Sequence, residues 1–226
     1  MRHSVPDGAS IPVSAAARAV FADRTDLAVR YAELLATEAV TRGLLGPREV
    51  PRIWERHLLN CAVVTELLPP RARIVDVGSG AGLPGLTLAV RRPDLTVVLV
   101  ESLRRRVDFL TGAVAELGLG RAVTVVHGRA EDSAVLASVG DAQWVTARAV
   151  APLGRLVEWC LPLLRPGGRL LALKGASAVA EVGEHIAAVK RFGGADVQVV
   201  RCGAGLLDEP TTVAIVVRSP SRERRK

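Results

Sequence analysis

The ten residues DVGSGAGLPG, Asp76 to Gly85, hold four glycines, a proline and one carboxylate, the densest run in the chain of groups suited to chemistry. Two spacings overlap in it. Gly80, Gly82 and Gly85 spell G-x-G-x-x-G, the dinucleotide-binding fingerprint, whereas Asp76, Gly78, Gly80 and Gly82 spell D-x-G-x-G-x-G. Glycines let a backbone approach a ligand with no Cβ in the way and let it adopt positive φ. A tight strand-to-helix turn needs one or two of them, so four point to a bound cofactor. Three neighbours say which kind. A carboxylate at Asp76 repels a pyrophosphate and attracts the α-amino group of a methionine-type ligand. Pro84 removes a backbone N–H that a pyrophosphate would use. Glu101, which ends the next apolar run, can accept ribose hydroxyls and suits both cofactor classes. The balance favours a cationic nucleoside without phosphate, S-adenosylmethionine, with Asp76, Gly78, Gly80, Gly82 and Glu101 as its contacts. The G-x-G-x-x-G frame is then incidental.

Further along, VTVVHG is followed by RAED, Arg129 to Asp132. An acidic side chain there can accept the adenine N6 amine, with a neighbouring backbone N–H donating to N1. Glu131 or Asp132 reads equally as the cap of the next helix. Arg148 and Lys174 close two later apolar runs, where they could face a ligand or serve as surface charges or helix-end partners. The four histidines are scattered, and neither a carboxylate pair nor a metal-ligand spacing stands out.

These residues need a scaffold, and the pattern of apolar runs supplies one. RIVDV, TVVLVE, AVTVVHG, WVTARAV, RLLALKG and TVAIVVRS have strand length, are apolar on both faces, and mostly alternate with helical segments such as Leu103–Leu117 and Pro152–Leu164. That is an α/β pattern with a mostly parallel sheet covered on both sides. The stretch Asp196–Cys202 precedes the last strand across a loop too short for a helical crossover, so the two are expected to pair antiparallel. Before the sheet, residues 14–44 and Pro51–Leu68 read as helices, giving an extension over 1–70, a main domain over 71–220 and a basic tail over 221–226.

At 226 residues, 49% hydrophobic and 23% charged, the composition is that of a soluble globule. No apolar run reaches the roughly 20 residues needed to span a bilayer, the first residues do not read as a signal peptide, and Cys61, Cys160 and Cys202 read as reduced thiols. A cytoplasmic location is expected. The net charge of +7 favours a polyanionic partner, although 27 of the 30 basic residues are arginine and codon bias alone would raise that number.

The segments DVGSGAGLPG, ESLRRRVDFL, GRAED, ARAVAPL and LALKG, with RHLLNCAVV in the extension, closely resemble the bacterial small-subunit rRNA (guanine-N7) methyltransferases, the glucose-inhibited division protein B family. The resemblance runs from about Arg56 to Lys174. It implies a class I S-adenosylmethionine-dependent methyltransferase fold, Rossmann-like, with seven strands, the last antiparallel, and an N-terminal helical extension. It implies cofactor contacts at Gly78, Leu83, Ala130, Glu131 and Arg148, with Glu101 on the ribose. Its substrate is a guanine of folded 16S rRNA, free or in the 30S subunit, with neither a metal nor an obligate protein partner. Guanine N7 carries a lone pair and no proton, so its methylation needs alignment and electrostatics and no general base. Arg148 and Lys174 are the residues expected to face the methyl group and the base. Arg56, His57, Asn60 and Cys61 fall where many members read R-H-x-x-D-S, so this chain lacks the usual Asp.

With aromatics at only 3%, RNA recognition is expected to be electrostatic and shape-based, through Arg52, Arg56, His57, Arg104, Arg105 and Lys174. Arg104–Arg106 reads equally as a solvated helix face, and His57 as structural. Three rivals remain at this level: a small-molecule methyltransferase, a non-enzymatic RNA-binding protein and an NAD-dependent oxidoreductase. The last lacks a proton-handling tyrosine, since the only one, Tyr31, lies in the extension.

Overall fold

Runs such as RIVDV and TVVLVE are rich in β-branched residues and apolar on both faces, the pattern of strands buried between two layers. A computed structural model describes residues 12–220, and the expected basic tail over 221–226 lies outside them, as do residues 1–11. Seven strands form one sheet: β1 (Arg73–Val77), β2 (Thr96–Glu101), β3 (Val123–His127), β4 (Ala142–Arg148), β5 (Leu164–Lys174), β6 (Gly194–Cys202) and β7 (Thr211–Arg218). Their order is β3-β2-β1-β4-β5-β7-β6. β1 to β5 pair in parallel, and β7 runs antiparallel to both β5 and β6. The winding direction reverses between β1 and β4, and the carboxyl ends of those two strands form the edge where such sheets bind ligands.

The period of two within a strand sends neighbouring residues to opposite layers. Ile74, Val97 and Leu99 join one core, which also takes side chains from Gly85–Arg91, Arg104–Glu116 and the extension. Val75, Val98 and Val100 join the other, with side chains from Ser133–Val139, Leu153–Cys160 and Ala178–Arg191. The extension thus covers one face of the sheet and shares its core.

The helix expected over residues 14–44 is broken. Ala15–Phe21, capped by Ser14 through its side chain, is followed by a 3-10 turn at Ala22–Arg24, then Thr25–Leu34 and a widened π turn at Leu35–Ala39. Neither glycine nor proline marks the break, so periodicity alone does not reveal it. The second helix begins earlier than Pro51, as a 3-10 turn over Pro47–Arg52. It widens to π geometry over Ile53–Leu59 and tightens again over Val63–Leu67 before Pro69. Phe21 meets Trp54 edge-on at 6.2 Å, joining the two helical stretches, and Tyr31 is wholly buried beneath the glycine loop.

Candidate functional site

The glycine loop leaves the carboxyl end of β1. Gly78, Gly80 and Gly82 have φ of 70°, 59° and 95°, the region that glycine alone enters without strain, which matches the D-x-G-x-G-x-G frame. A Cβ on Gly78 would lie 2.7 Å from Val150 on the loop after β4, and one on Gly82 would lie 2.6 Å from the Tyr31 hydroxyl. Gly85 has another task. A Cβ there would come 2.8 Å from the Asp76 carboxylate and 2.5 Å from Leu99, so the last glycine of the other frame is required by packing and is not incidental. The Leu83–Pro84 peptide is cis.

The loop amides are directed inward. Those of Gly78 and Ser79 donate to the Val100 carbonyl, that of Gly80 to Glu101, those of Gly82 and Leu83 to the Ser79 carbonyl, and that of Gly85 to Asp76. Pro84 has no N–H. A pyrophosphate bound at a dinucleotide fold relies on such amides pointing outward. This loop does not provide that nest.

Asp76 is fully buried, accepting the Gly85 N–H at 3.1 Å and the Thr146 hydroxyl at 2.9 Å. Burial pushes its carboxyl up to about 6, against the pull of those hydrogen bonds. The carboxylate braces the loop from inside, and the direct contact with a cofactor amine that the sequence suggested has no open path here. Glu101 is also turned to the backbone. It accepts the amides of Ser102 and Leu103 through one oxygen and that of Gly80 through the other, each at 2.9 Å, with Arg106 at 3.5 Å. A carboxylate offers about four acceptor sites, so three are occupied and about one remains for a ribose hydroxyl.

Beyond these braces lies a cleft lined by Val77 and Gly78 of the first strand and loop, Val100 and Ser102 of the second, and Gly128 to Glu131 of the third. Val150 and Trp159 close it from the β4 side. Of the expected cofactor contacts, Gly78, Ala130 and Glu131 line this cleft, whereas Asp76, Gly80, Gly82, Leu83, Glu101 and Arg148 are not among its lining residues. Of Glu131 and Asp132, Glu131 lines the cleft, and Asp132 makes no side-chain capping bond to the helix it precedes. Asp132 occupies the N-cap position of Ser133–Val139 and accepts the Arg129 amide at 2.8 Å, leaving the exposed Glu131 at the cleft. Val150, Trp159 and Gly128 escaped the sequence reading. At Gly128 the fold itself requires glycine, since a Cβ there would lie 2.5 Å from Val135.

Arg148, at the carboxyl end of β4, reaches into the extension. Its Nη1 donates to Cys61 Sγ at 3.2 Å, and its Nη2 donates to the Arg56 carbonyl at 3.0 Å and to His57 Nδ1 at 2.8 Å. His57 Nε2 pairs with Glu49 at 2.9 Å. The R-H-x-x-D-S positions are therefore the joint between extension and sheet. Asn60 completes it, its carbonyl and side-chain oxygen accepting the Thr211 hydroxyl at the start of β7. Lys174 is drawn inward as well. Its ammonium donates to the Ala151 carbonyl at 3.1 Å and to Glu181 at 2.7 Å, which also accepts the Leu153 amide, so it clamps the loop after β4.

The expected RNA contacts separate. Arg52, Arg56 and Asn60 form one wall of a second cavity, about 650 Å³, whose other wall includes Leu206, Asp208 and Glu209. Arg104 and Arg105 lie exposed on the helix after β2, Arg104 paired with Asp108 at 2.8 Å. The two sets of arginines sit toward opposite ends of the sheet's carboxyl edge. His57, at 7% exposure, joins neither set.

Comparison with known proteins places this arrangement among relatives. A family model described as GidB, rRNA small subunit methyltransferase G, matches residues 24–210. A protein of Salinispora arenicola named ribosomal RNA small subunit methyltransferase G is 60% identical over 211 residues, covering 91% of this chain and 86% of that protein. One of the same name from Rhodococcus jostii is 52% identical over 229 residues, covering 100% of both. Among solved structures, Aeropyrum pernix fibrillarin in complex with natively bound S-adenosyl-L-methionine aligns with a TM-score of 0.52 at 20% identity, covering 72% of this chain and 75% of that one. An O-methyltransferase structure from Nostoc punctiforme aligns with a TM-score of 0.57 at 11% identity, covering 91% of this chain and 69% of that one. These structural likenesses bear on the fold.

Proposed function

The chain belongs to the GidB family, rRNA small subunit methyltransferase G, and from that premise we propose that it transfers the methyl group of S-adenosylmethionine to N7 of a guanine in 16S rRNA. The observation that carries the reading is the joining of two features at one strand edge. A cleft lined by Gly78 and Gly128, over a loop whose Gly78, Ser79, Gly80, Gly82, Leu83 and Gly85 amides are engaged within the protein, shares the strand edge with Arg148, which is suspended from the extension.

The residues fit the cofactor. Gly78 leaves room that a Cβ would fill, Val150 and Trp159 give apolar walls to a nucleoside, and Glu131 offers an exposed carboxylate to the adenine amine. Bound there, S-adenosylmethionine supplies an electrophilic sulfonium methyl. The protein's own contribution is placement. Asp76 and Glu101 fix the loop, and Lys174 with Glu181 fixes the loop after β4. Arg148 keeps two of its five N–H donors free of the extension, its Nε–H and one Nη1–H, to orient the cofactor's methyl end or guanine O6. Since N7 has no proton to lose, no side chain needs to act as base, and the rate gain comes from proximity and electrostatics.

For the substrate we propose that Arg52 and Arg56 at the second cavity and Arg104 and Arg105 near β2 hold phosphates on either side of the base. Among the described residues no helix is long and apolar enough to cross a membrane, which suits our placement of the chain in the cytoplasm with the ribosomal subunit. Its organisation as extension (1–70), methyltransferase domain (71–220) and tail (221–226) remains part of the same proposal. The test is incubation of methyl-labelled S-adenosylmethionine with 30S subunits, with naked 16S rRNA and with a metabolite extract. Label in the rRNA is expected. Label only in a metabolite would favour a small-molecule enzyme.

A further inference from the structure

We propose that His57 is a positioning residue for Arg148, so that the helical extension supplies a working part of the methyl-transfer site. This rests on the role given to Arg148 above. The two residues are 91 positions apart in the chain, yet Arg148 Nη2 donates to His57 Nδ1 at 2.8 Å. A ring nitrogen that accepts a hydrogen bond carries no proton, so the single proton of the neutral ring sits on Nε2. That nitrogen donates to the Glu49 carboxylate at 2.9 Å. Both nitrogens of the ring are thereby assigned, and its tautomer is fixed from two sides.

The surroundings keep the ring neutral. Burial lowers its pKa below the ordinary histidine range, and the Arg148 cation from β4 and Arg56 on its own turn add to this. Glu49, on the turn Pro47–Arg52, pulls the other way without prevailing, and that carboxyl is itself held below its ordinary value. Cys61, one turn beyond His57, is wholly buried and its thiol is pushed up, so it stays uncharged. The Arg148 guanidinium thus rests on a thiol, a carbonyl and an imidazole. Of these three acceptors only the imidazole can be switched off by acid. Once protonated, Nδ1 would present an N–H to an N–H, beside a cation. A direct RNA contact does not fit this geometry, since His57 is 7% exposed and both its nitrogens are occupied.

The test is 30S methylation by wild type, His57→Asn and His57→Leu from about pH 5 to about pH 8.5, with cofactor affinity and melting temperature measured in parallel. Asparagine keeps an acceptor near the place of Nδ1 but cannot be protonated. Wild-type kcat is expected to fall toward acid, and His57→Asn to keep most of the alkaline rate without that acid limb. His57→Leu is expected to lose roughly tenfold or more in kcat across the range, with KM for the cofactor changing less. An unchanged acid limb in His57→Asn overturns the proposal. So does His57→Leu with wild-type kcat per folded molecule, however much its melting temperature falls, because that is a structural role alone. Absence of transfer by the wild type itself would overturn both this proposal and the function it rests on, whereas the variant outcomes in an active enzyme bear on His57 alone.

Discussion

On the β1–β3 side of the site, glycines at positive φ and inward-turned amides shape the wall, all within a short stretch of chain. On the β4 side, Arg148 hangs from groups 87 to 92 residues away, and Lys174, at the end of β5, from the Ala151 carbonyl and from Glu181 on the helix Ala178–Arg191. The first side is built from backbone and the second from side chains that meet only after folding. The difference teaches where each function resides. A backbone wall fits a constant ligand, such as the proposed cofactor, whereas a side-chain bridge can tie methyl transfer to the helical layer that we propose holds the RNA.

The largest expected effect breaks the backbone side. Gly78→Asp would place a side chain against Val150, in a backbone conformation that favours glycine, and a carboxylate in the cleft. Calorimetry should show cofactor affinity reduced by roughly 100-fold or more, about 3 kcal/mol, with circular dichroism near wild type. Wild-type affinity would mean the cleft is not the cofactor site. The other side is broken by Arg148→Lys, which keeps the charge but loses the planar fork spread over three acceptors. A drop of about 100-fold in kcat is expected, with a smaller change in cofactor affinity. Equal losses in both would merge the two sides into one.

How much of this was legible follows the same division. The bounds of β1 and β2 coincide with RIVDV and TVVLVE because strands buried on both faces must be apolar throughout. The positive φ at Gly78, Gly80 and Gly82 was legible too, since glycine spacing encodes backbone conformation directly. Asp76 was legible as important but not as buried, because a carboxylate beside glycines looks the same whether it faces a ligand or an amide. Gly85 seemed incidental for a like reason: its close approach to Asp76 and Leu99 is a three-dimensional fact. His57 gave no local sign of its partner, which lies on β4.

Smaller effects sharpen the comparison. Asp76 has its pKa raised, so the folded state binds more protons than the unfolded between about 4 and about 6. Its contribution to stability is full below that window and is lost as pH rises through about 6. Asp76→Asn cannot ionise, so its stability should gain on the wild type by on the order of 2–3 kcal/mol across the window, read by denaturant melts at successive pH values. Parallel curves would contradict the buried brace. Tyr31→Phe, the smallest change, removes the hydroxyl that donates to the Ala81 carbonyl at 2.7 Å from beneath the loop. It should cost about 1 kcal/mol and a few degrees of melting temperature. Cofactor affinity should fall slightly, because that bond is one of the ways the extension supports the backbone side.

The most direct test concerns the atom that receives the methyl group, because a site built for alignment without a base requires a nucleophile with no proton. Methylated 16S rRNA treated with borohydride and aniline is cleaved at N7-methylguanine, and primer extension locates the break. The account predicts one new stop at a guanine in rRNA treated with the enzyme and S-adenosylmethionine. Labelled rRNA without any such break would place the methyl on another atom and contradict it.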